Sequence, residues 1–276
     1  MVQSYCANEL RSNDYERYLS ALFIPNHHRE AVFTIYAFNS EVSRTREMVS
    51  ESILGEIRLQ WWREAIQKIY QNEIVEHPIL ESLRKTLGDY DLPIDFFEDL
   101  LDARLSDFKK TPSEDMEGLI DYARSTSGTL GMMVMKLLGF NDTVSIRVAS
   151  LVSTAWALIG LIRAIHFHAK SERIYLPREL LIKNNVDNIS ILSFQSSPQL
   201  SLIVNEVIDN ARALLTEARS LRNEVPRPAR RGLLLGPLAD CYIRDIIRAN
   251  YDPFSLRKLG LTLPTSLILA SIKGRY

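Results

Sequence analysis

With 276 residues, 33 basic and 34 acidic side chains and a net charge of −1, the chain has no overall electrostatic pull toward nucleic acid, and none is expected as a partner. Hydrophobic residues make up 46% of it, enough for a sizeable core, and its two cysteines, Cys6 and Cys241, cannot build a disulfide framework. No Gly-, Pro- and Ser-rich linker divides it, so residues 1–276 are expected to form a single domain.

Helical spacing dominates and strict alternation is scarce, which predicts an all-α fold. The start of the chain shows neither a basic-then-apolar leader nor an Arg-rich transit segment, so a cytoplasmic chain of bacterial type is expected. Leu19, Leu22 and Phe23 close a first helix before Pro25, and Ala31, Val32, Ile35 and Phe38 set the apolar stripe of the next. On that second helix Tyr36, Ser40, Ser43 and Glu47 follow at i+4, i+3 and i+4 and share a face.

Further helices are expected over 55–70, 78–87, 93–108, 116–138 and 144–169, with turn signals at Gly88-Asp89, Thr111-Pro112-Ser113 and Gly139-Phe140-Asn141-Asp142. The apolar run 148–167 has the length of a membrane span, but Ser150, Ser153, Thr154, Arg163 and His166 interrupt it; a helix buried on most faces is the better reading. After Tyr175-Leu176-Pro177 come a polar connection, a helix over 200–225, a break at Pro226-Arg227-Pro228 and a helix over 231–249. A bundle of about ten helices without an internal repeat is predicted.

Charge is unevenly spread. Residues 89–121 hold eleven acidic and three basic side chains, and residues 212–275 hold twelve basic and five acidic ones. Asp99, Asp102 and Asp107 read as a solvated acidic face. Arg227, Arg230 and Arg231 read as a contact with an anionic membrane, with Leu261, Leu263, Leu267 and Leu269 either adding a shallow apolar contact or packing on the bundle. Trp61 and Trp62 are adjacent on a helix, so one belongs in the core and the other near a surface or pocket. The histidines His27, His28, His77, His166 and His168 include no i, i+4 pair, and no metal site is expected of them.

Four signatures stand in order along the chain: Arg29 and Ala31 with Tyr36-Ala37-Phe38; Gly128-Thr129-Leu130-Gly131 behind Tyr122; Arg163 with Glu172-Arg173-Ile174-Tyr175-Leu176-Pro177; and Tyr242 with Ala249-Asn250-Tyr251-Asp252. In order and near-spacing they resemble the squalene and phytoene synthases, from Tyr5 to about Arg257. The resemblance implies an isoprenoid-synthase helical bundle with a central cavity. In that family magnesium ions bridge prenyl diphosphates to two aspartate-rich helix faces, as suits hard cations that prefer oxygen ligands.

Carried over position by position, the acidic places of the first motif fall on Ser43, Arg44 and Glu47, and its preceding arginine falls on Ser40. In the second motif the family's Gln, Asn, Arg, Asp and Asp fall on Ala157, Gly160, Arg163, Ala164 and His168. Only Glu47 stays acidic and only Arg163 is retained. Arg44 and Arg46 would repel a divalent cation, so no magnesium and no catalytic residue are expected. Tyr36, Tyr122, Arg163, Tyr175 and Tyr242 match cavity-lining positions of the family, although tyrosines at helical spacing also serve as core residues. Any anion in the cavity is expected on Arg163, with Arg44 or His168 secondary.

A narrower resemblance rests on Tyr5-Cys6, Asp14-Tyr15-Glu16, Tyr18-Leu19, Ala37-Phe38-Asn39 with Glu41, Val49-Ser50-Glu51, and Arg58 with Gln60-Trp61. It is to the aspartate-depleted branch containing complex I (NADH dehydrogenase) assembly factor 6. It implies an accessory role at a membrane respiratory complex, with subunits of that complex as partners and peripheral attachment at the inner face of the membrane. Two other readings stay open: a head-to-head prenyl transferase using magnesium, and a protein that binds a lipid or prenyl diphosphate.

Overall fold

The computed structural model describes residues 4–109, 113–257 and 259–276. Among the described residues there are helices and no strand: α1 (Tyr5–Asn13), α2 (Tyr15–Ala21), α3 (Asn26–Ser43), α4 (Ser52–Tyr70), α5 (Pro78–Asp89), α6 (Asp95–Leu105), α7 (Met116–Ala123) and α8 (Thr129–Leu137). The second half continues with α9 (Thr143–Arg163), α10 (Ile165–Lys170), α11 (Arg178–Lys183), α12 (Asn188–Leu192), α13 (Pro198–Ser220), α14 (Leu235–Arg248) and α15 (Thr262–Lys273). Local chemistry sets many of the starts. The side chains of Ser4, Asp14, Asp115, Asp142, Asp187 and Ser197 accept from first-turn N–H groups, and Pro78 and Pro198 occupy positions where no N–H is needed.

The helices outnumber the ten expected. The run 144–169 breaks at Ala164 into α9 and α10, and 116–138 is interrupted by a π-helical turn at Arg124–Gly128. The polar connection holds two short helices, α11 and α12. Gly88 and Asp89 form the last turn of α5, so the chain turns at Tyr90 instead. Of the signal at Thr111-Pro112-Ser113, Thr111 and Pro112 lie outside the described residues.

The long helix α9 is the axis of the bundle, with α7, α8, α13, α14 and the π turn packed around it. It is long and apolar enough to cross a membrane, but 61% of its most apolar window is buried inside the bundle, as in a core helix. Trp62 is fully buried, edge-on to Phe38 at 5.5 Å, and Trp61 is 42% exposed, the division expected of adjacent indoles.

Glycine lets α8 approach α9. A Cβ on Gly131 would lie 2.5 Å from the Ala149 carbonyl oxygen and 2.3 Å from Ser153 Oγ. Gly160, in α9 itself, has nothing within 4 Å of such an atom. Gly131→Ala is therefore expected to lose about 1–3 kcal/mol through overpacking. Gly160→Ala should instead gain about 0.5–1 kcal/mol from reduced chain entropy. Paired urea titrations of the two variants test the contrast.

Candidate functional site

A cavity of about 220 Å³ lies between α3 and the C-terminal half of α9. Asn39, Ser40, Ser43 and Arg44 face it from the α3 side, and Trp156, Ala157 and Gly160 face it from α9. Tyr122 of α7, His168 of α10, Arg17 of α2 and Arg104 of α6 complete much of the wall. Six of the motif positions thus share one cavity. Ala164 instead caps α9. Glu47 lies exposed on the 3-10 turn Thr45–Met48, because the chain leaves the α-helix at Ser43 and the shared face ends there.

Arg44 does not reach for a ligand. Its guanidinium pairs with Glu9 at 2.7 Å and Glu41 at 3.1 Å and donates to Asn13 Oδ1 at 2.6 Å, and Glu41 in turn pairs with Arg58 at 2.7 Å. This alternation of charge ties α1, α3 and α4 together where the family would hold metal. Among the described residues the one carboxylate lining the cavity, Asp14, is paired with Arg17 at 2.7 Å and accepts from the Arg17 N–H to cap α2. Magnesium takes near-octahedral oxygen ligands. Serines, an alanine, a glycine and a guanidinium do not supply them, and no group of three or more His, Cys, Asp or Glu could hold a metal among the described residues. These residues do not fit magnesium.

Behind the cavity, Asp107 is only 5% exposed, which overturns its reading as part of a solvated face; Asp99 and Asp102 do lie exposed. Asp107 Oδ1 accepts from Tyr122 at 2.7 Å and from Tyr175 at 2.9 Å, and Arg104 pairs with its Oδ2 at 3.3 Å. Arg104 also donates to the Tyr122 hydroxyl and to Asn39, and Arg173 donates to the Asp107 carbonyl. Burial pushes both phenols well above their ordinary range, so they remain protonated and serve Asp107 as donors. The charge density of 89–121 hides Asp107 in the sequence, although it falls near a position often acidic in the synthases that the chain resembles. Arg17 and Arg104 carried no signal beyond their carboxylates three residues away.

His168 stacks on Tyr175 with ring centroids 4.6 Å apart, whereas His166 packs on Phe194 and Phe254, on another side of α10. Burial, with Arg173 adding to it, lowers His168 to about 4. An unfolded histidine titrates near about 6.5, so between those values only the unfolded chain takes the proton. The stability that neutral His168 contributes is complete above that upper value and is lost as pH falls toward the lower one. Chemical denaturation at about pH 7 and about pH 5 is expected to show this loss, and His168→Phe to reduce it.

Four candidate cavity residues lie outside its lining: Tyr175, beside Asp107, and three others. Tyr36 is a core residue, 3% exposed beneath the Arg17 guanidinium at 5.5 Å, and burial pushes its phenol up to about 12. Arg163 and Tyr242 line a separate crevice of about 570 Å³ with Tyr15, Glu16, Asp245 and Leu263. There Arg163 pairs with Glu16 at 2.6 Å and lies 3.5 Å from the Tyr242 ring centroid, and the Tyr242 hydroxyl donates to Glu16 at 2.5 Å. Burial raises the Glu16 carboxyl, but Arg163 and Tyr242 outweigh it and hold it below its usual range. Arg163 does not line this cavity; of the two secondary candidates, Arg44 is engaged by two carboxylates with its Nε unpartnered, and His168 lines the wall.

Residues 10–265 match the squalene/phytoene synthase family. Complex I assembly factor 6 from Mus musculus is 27% identical over 99% of this chain and 82% of its own length. A 15-cis-phytoene synthase from Synechococcus elongatus is 24% identical over 92% of this chain and 89% of its own. Among solved structures, a squalene synthase from Alicyclobacillus acidocaldarius superposes with a TM-score of 0.78 at 25% identity, covering 90% of this chain and 94% of that one. A dehydrosqualene synthase reaches a TM-score of 0.83 at 18% identity, covering 98% and 94%, and speaks to the fold alone. The helical bundle is the isoprenoid-synthase fold, and the chain belongs to the squalene/phytoene synthase family.

Proposed function

We propose that this protein is a non-catalytic member of its family, acting without a cofactor as an accessory or assembly factor for a membrane respiratory complex of the NADH dehydrogenase type. The observation that carries the reading is the cavity wall. Ser40, Ser43, Ala157 and Gly160 stand at the motif positions beside an Arg44 already engaged by Glu9 and Glu41. A departing diphosphate would find no carboxylate-held cation to stabilise it, and such stabilisation is commonly the largest catalytic term. The motif-lined cavity itself, about 220 Å³, falls below the about 300–1,000 Å³ of sites for drug-sized ligands.

The similarity to assembly factor 6 proteins, over 99% of this chain and 82% of theirs, supports subunits of that complex as partners. Work on such a complex calls for peripheral attachment at the inner, cytoplasmic face of its membrane. The crevice favours one second reading, a bound lipid or prenyl amphiphile, because Ile246, Leu256 and Leu263 wall it above the Arg163–Glu16 pair. Deleting the gene is expected to lower assembled NADH dehydrogenase and leave squalene and carotenoids unchanged. Purified protein given farnesyl diphosphate and magnesium should yield no product above a heat-killed control. Normal complex levels with lost squalene or carotenoid would restore the transferase reading.

A further inference from the structure

The last helix, α15, is apolar on two sides. Leu263, Leu267 and Ala270 are buried, and the helix packs against α14 and α2. Outward, Leu261, Thr265, Ile268, Leu269 and Ile272 recur at i, i+4, i+7, i+8 and i+11 and form one stripe. Its four aliphatic side chains are 85%, 48%, 56% and 78% exposed. A helix on the surface of a soluble bundle turns charged residues outward. In α15 the single charged residue is Lys273, at the end of the helix. Contiguous exposed apolar surface of this kind marks an interaction site.

Charge decides what covers it. Residues 253–276 contain no Asp or Glu and four cations, Arg257, Lys258, Lys273 and Arg275. Arg257, Lys273 and Arg275 are exposed, and their side chains form no ion pair among the described residues. Two carboxylates of α14 are engaged: Asp240 pairs with Arg219 at 2.7 Å, and the buried Asp245 accepts from the Arg257 backbone N–H at 3.1 Å. A second copy docked by two-fold symmetry would bring these cations against their own kind without a carboxylate in return. A second exposed apolar stripe, Ile53, Ile57 and Trp61 of α4, is interleaved with Glu56 and Glu64, which an anionic surface would repel.

We propose that α15 is an interfacial helix. Its outward stripe enters the boundary between headgroups and acyl chains of an anionic bilayer, while Arg257, Lys273 and Arg275 meet lipid phosphates. Of the arginine cluster of 227–231, Arg227 and Arg231 are exposed, whereas Arg230 is turned inward, donating to the carbonyls of Val225, Arg222 and Gly274; Arg222 also holds Gly274, so Arg222 and Arg230 brace the end of α15. The surface is independent of the assembly reading, since a vesicle contains no respiratory subunit.

The test is co-sedimentation of the full chain with phosphatidylcholine vesicles, with and without phosphatidylglycerol. Binding is expected to need the anionic lipid and to weaken with salt. Each aliphatic-to-Ser change should weaken it about tenfold, so Ile268→Ser with Ile272→Ser should abolish it. Lys273→Gln with Arg275→Gln should weaken it more at low salt than at high. Ile57→Ser on α4 is expected to leave it unchanged, and thermal melting of each variant checks the fold. Wild-type protein that ignores anionic vesicles, or a folded double-Ser variant that binds as wild type, would overturn the proposal. So would a wild-type dimer that the double-Ser variant converts to monomer, which would make the stripe a subunit contact.

Discussion

Asp107→Ala is expected to lower stability by about 3–5 kcal/mol, the range for removing one partner of a buried ionic cluster, and Tm by roughly 10 °C. The carboxylate is the shared acceptor of Tyr122 and Tyr175 and the ion-pair partner of Arg104. Removing it leaves two phenols and a guanidinium with too few acceptors in a place water reaches poorly, and each orphaned group carries its own desolvation penalty. Asp107→Asn keeps the shape and one carbonyl acceptor, so it should fall between Ala and wild type. Asp99→Ala, on the exposed face of α6, should stay within about 0.5 kcal/mol. Calorimetric melts of the three variants measure the order; an Asp107→Ala variant as stable as Asp99→Ala would mean the cluster holds nothing together.

Arg44→Glu is expected to destabilise the chain by about 2–4 kcal/mol and to make its stability depend on magnesium. Arg44 lies between Glu9 and Glu41, with the Asn13 carbonyl oxygen as a third acceptor. Reversing its sign sets three carboxylates beside one amide oxygen, a repulsive arrangement that a hard divalent cation would neutralise. Magnesium at ten times its dissociation constant would return about 1.4 kcal/mol. Wild type, whose guanidinium already fills that role, is expected to melt at the same temperature with magnesium or with EDTA. A variant indifferent to magnesium would show that the surrounding oxygens are held too far apart to share an ion.

The long helices were legible because burial imposes a period. Ala31, Val32, Ile35 and Phe38 marked α3, and the apolar run with its interrupting polar groups marked α9 as a core helix. The short helices α11 and α12 were not, since five or six residues hold less than two turns of any period. Extending the face of α3 to Glu47 assumed 3.6 residues per turn, and the chain switches to a tighter helix at Thr45. Sequence position alone could say that Ser43 and Gly160 belonged to one cavity through family resemblance, but not that Arg163, three residues past Gly160, would turn into a different crevice toward Glu16. Such partnerships join residues 147 apart in the chain, and no local pattern encodes them.

The central place of α9 has a consequence during synthesis. Its neighbours α13 and α14 are made only after it, the last of them ending at Arg248. At about 5–20 residues per second, the growing chain carries a span-length apolar helix covered only by α7, α8 and the π turn for on the order of ten seconds. In that interval the nascent protein presents to chaperones and to the insertion machinery the same signal as an unfinished membrane protein. Whether it becomes a bundle is then a race between the arrival of its own C-terminal half and capture by a bilayer.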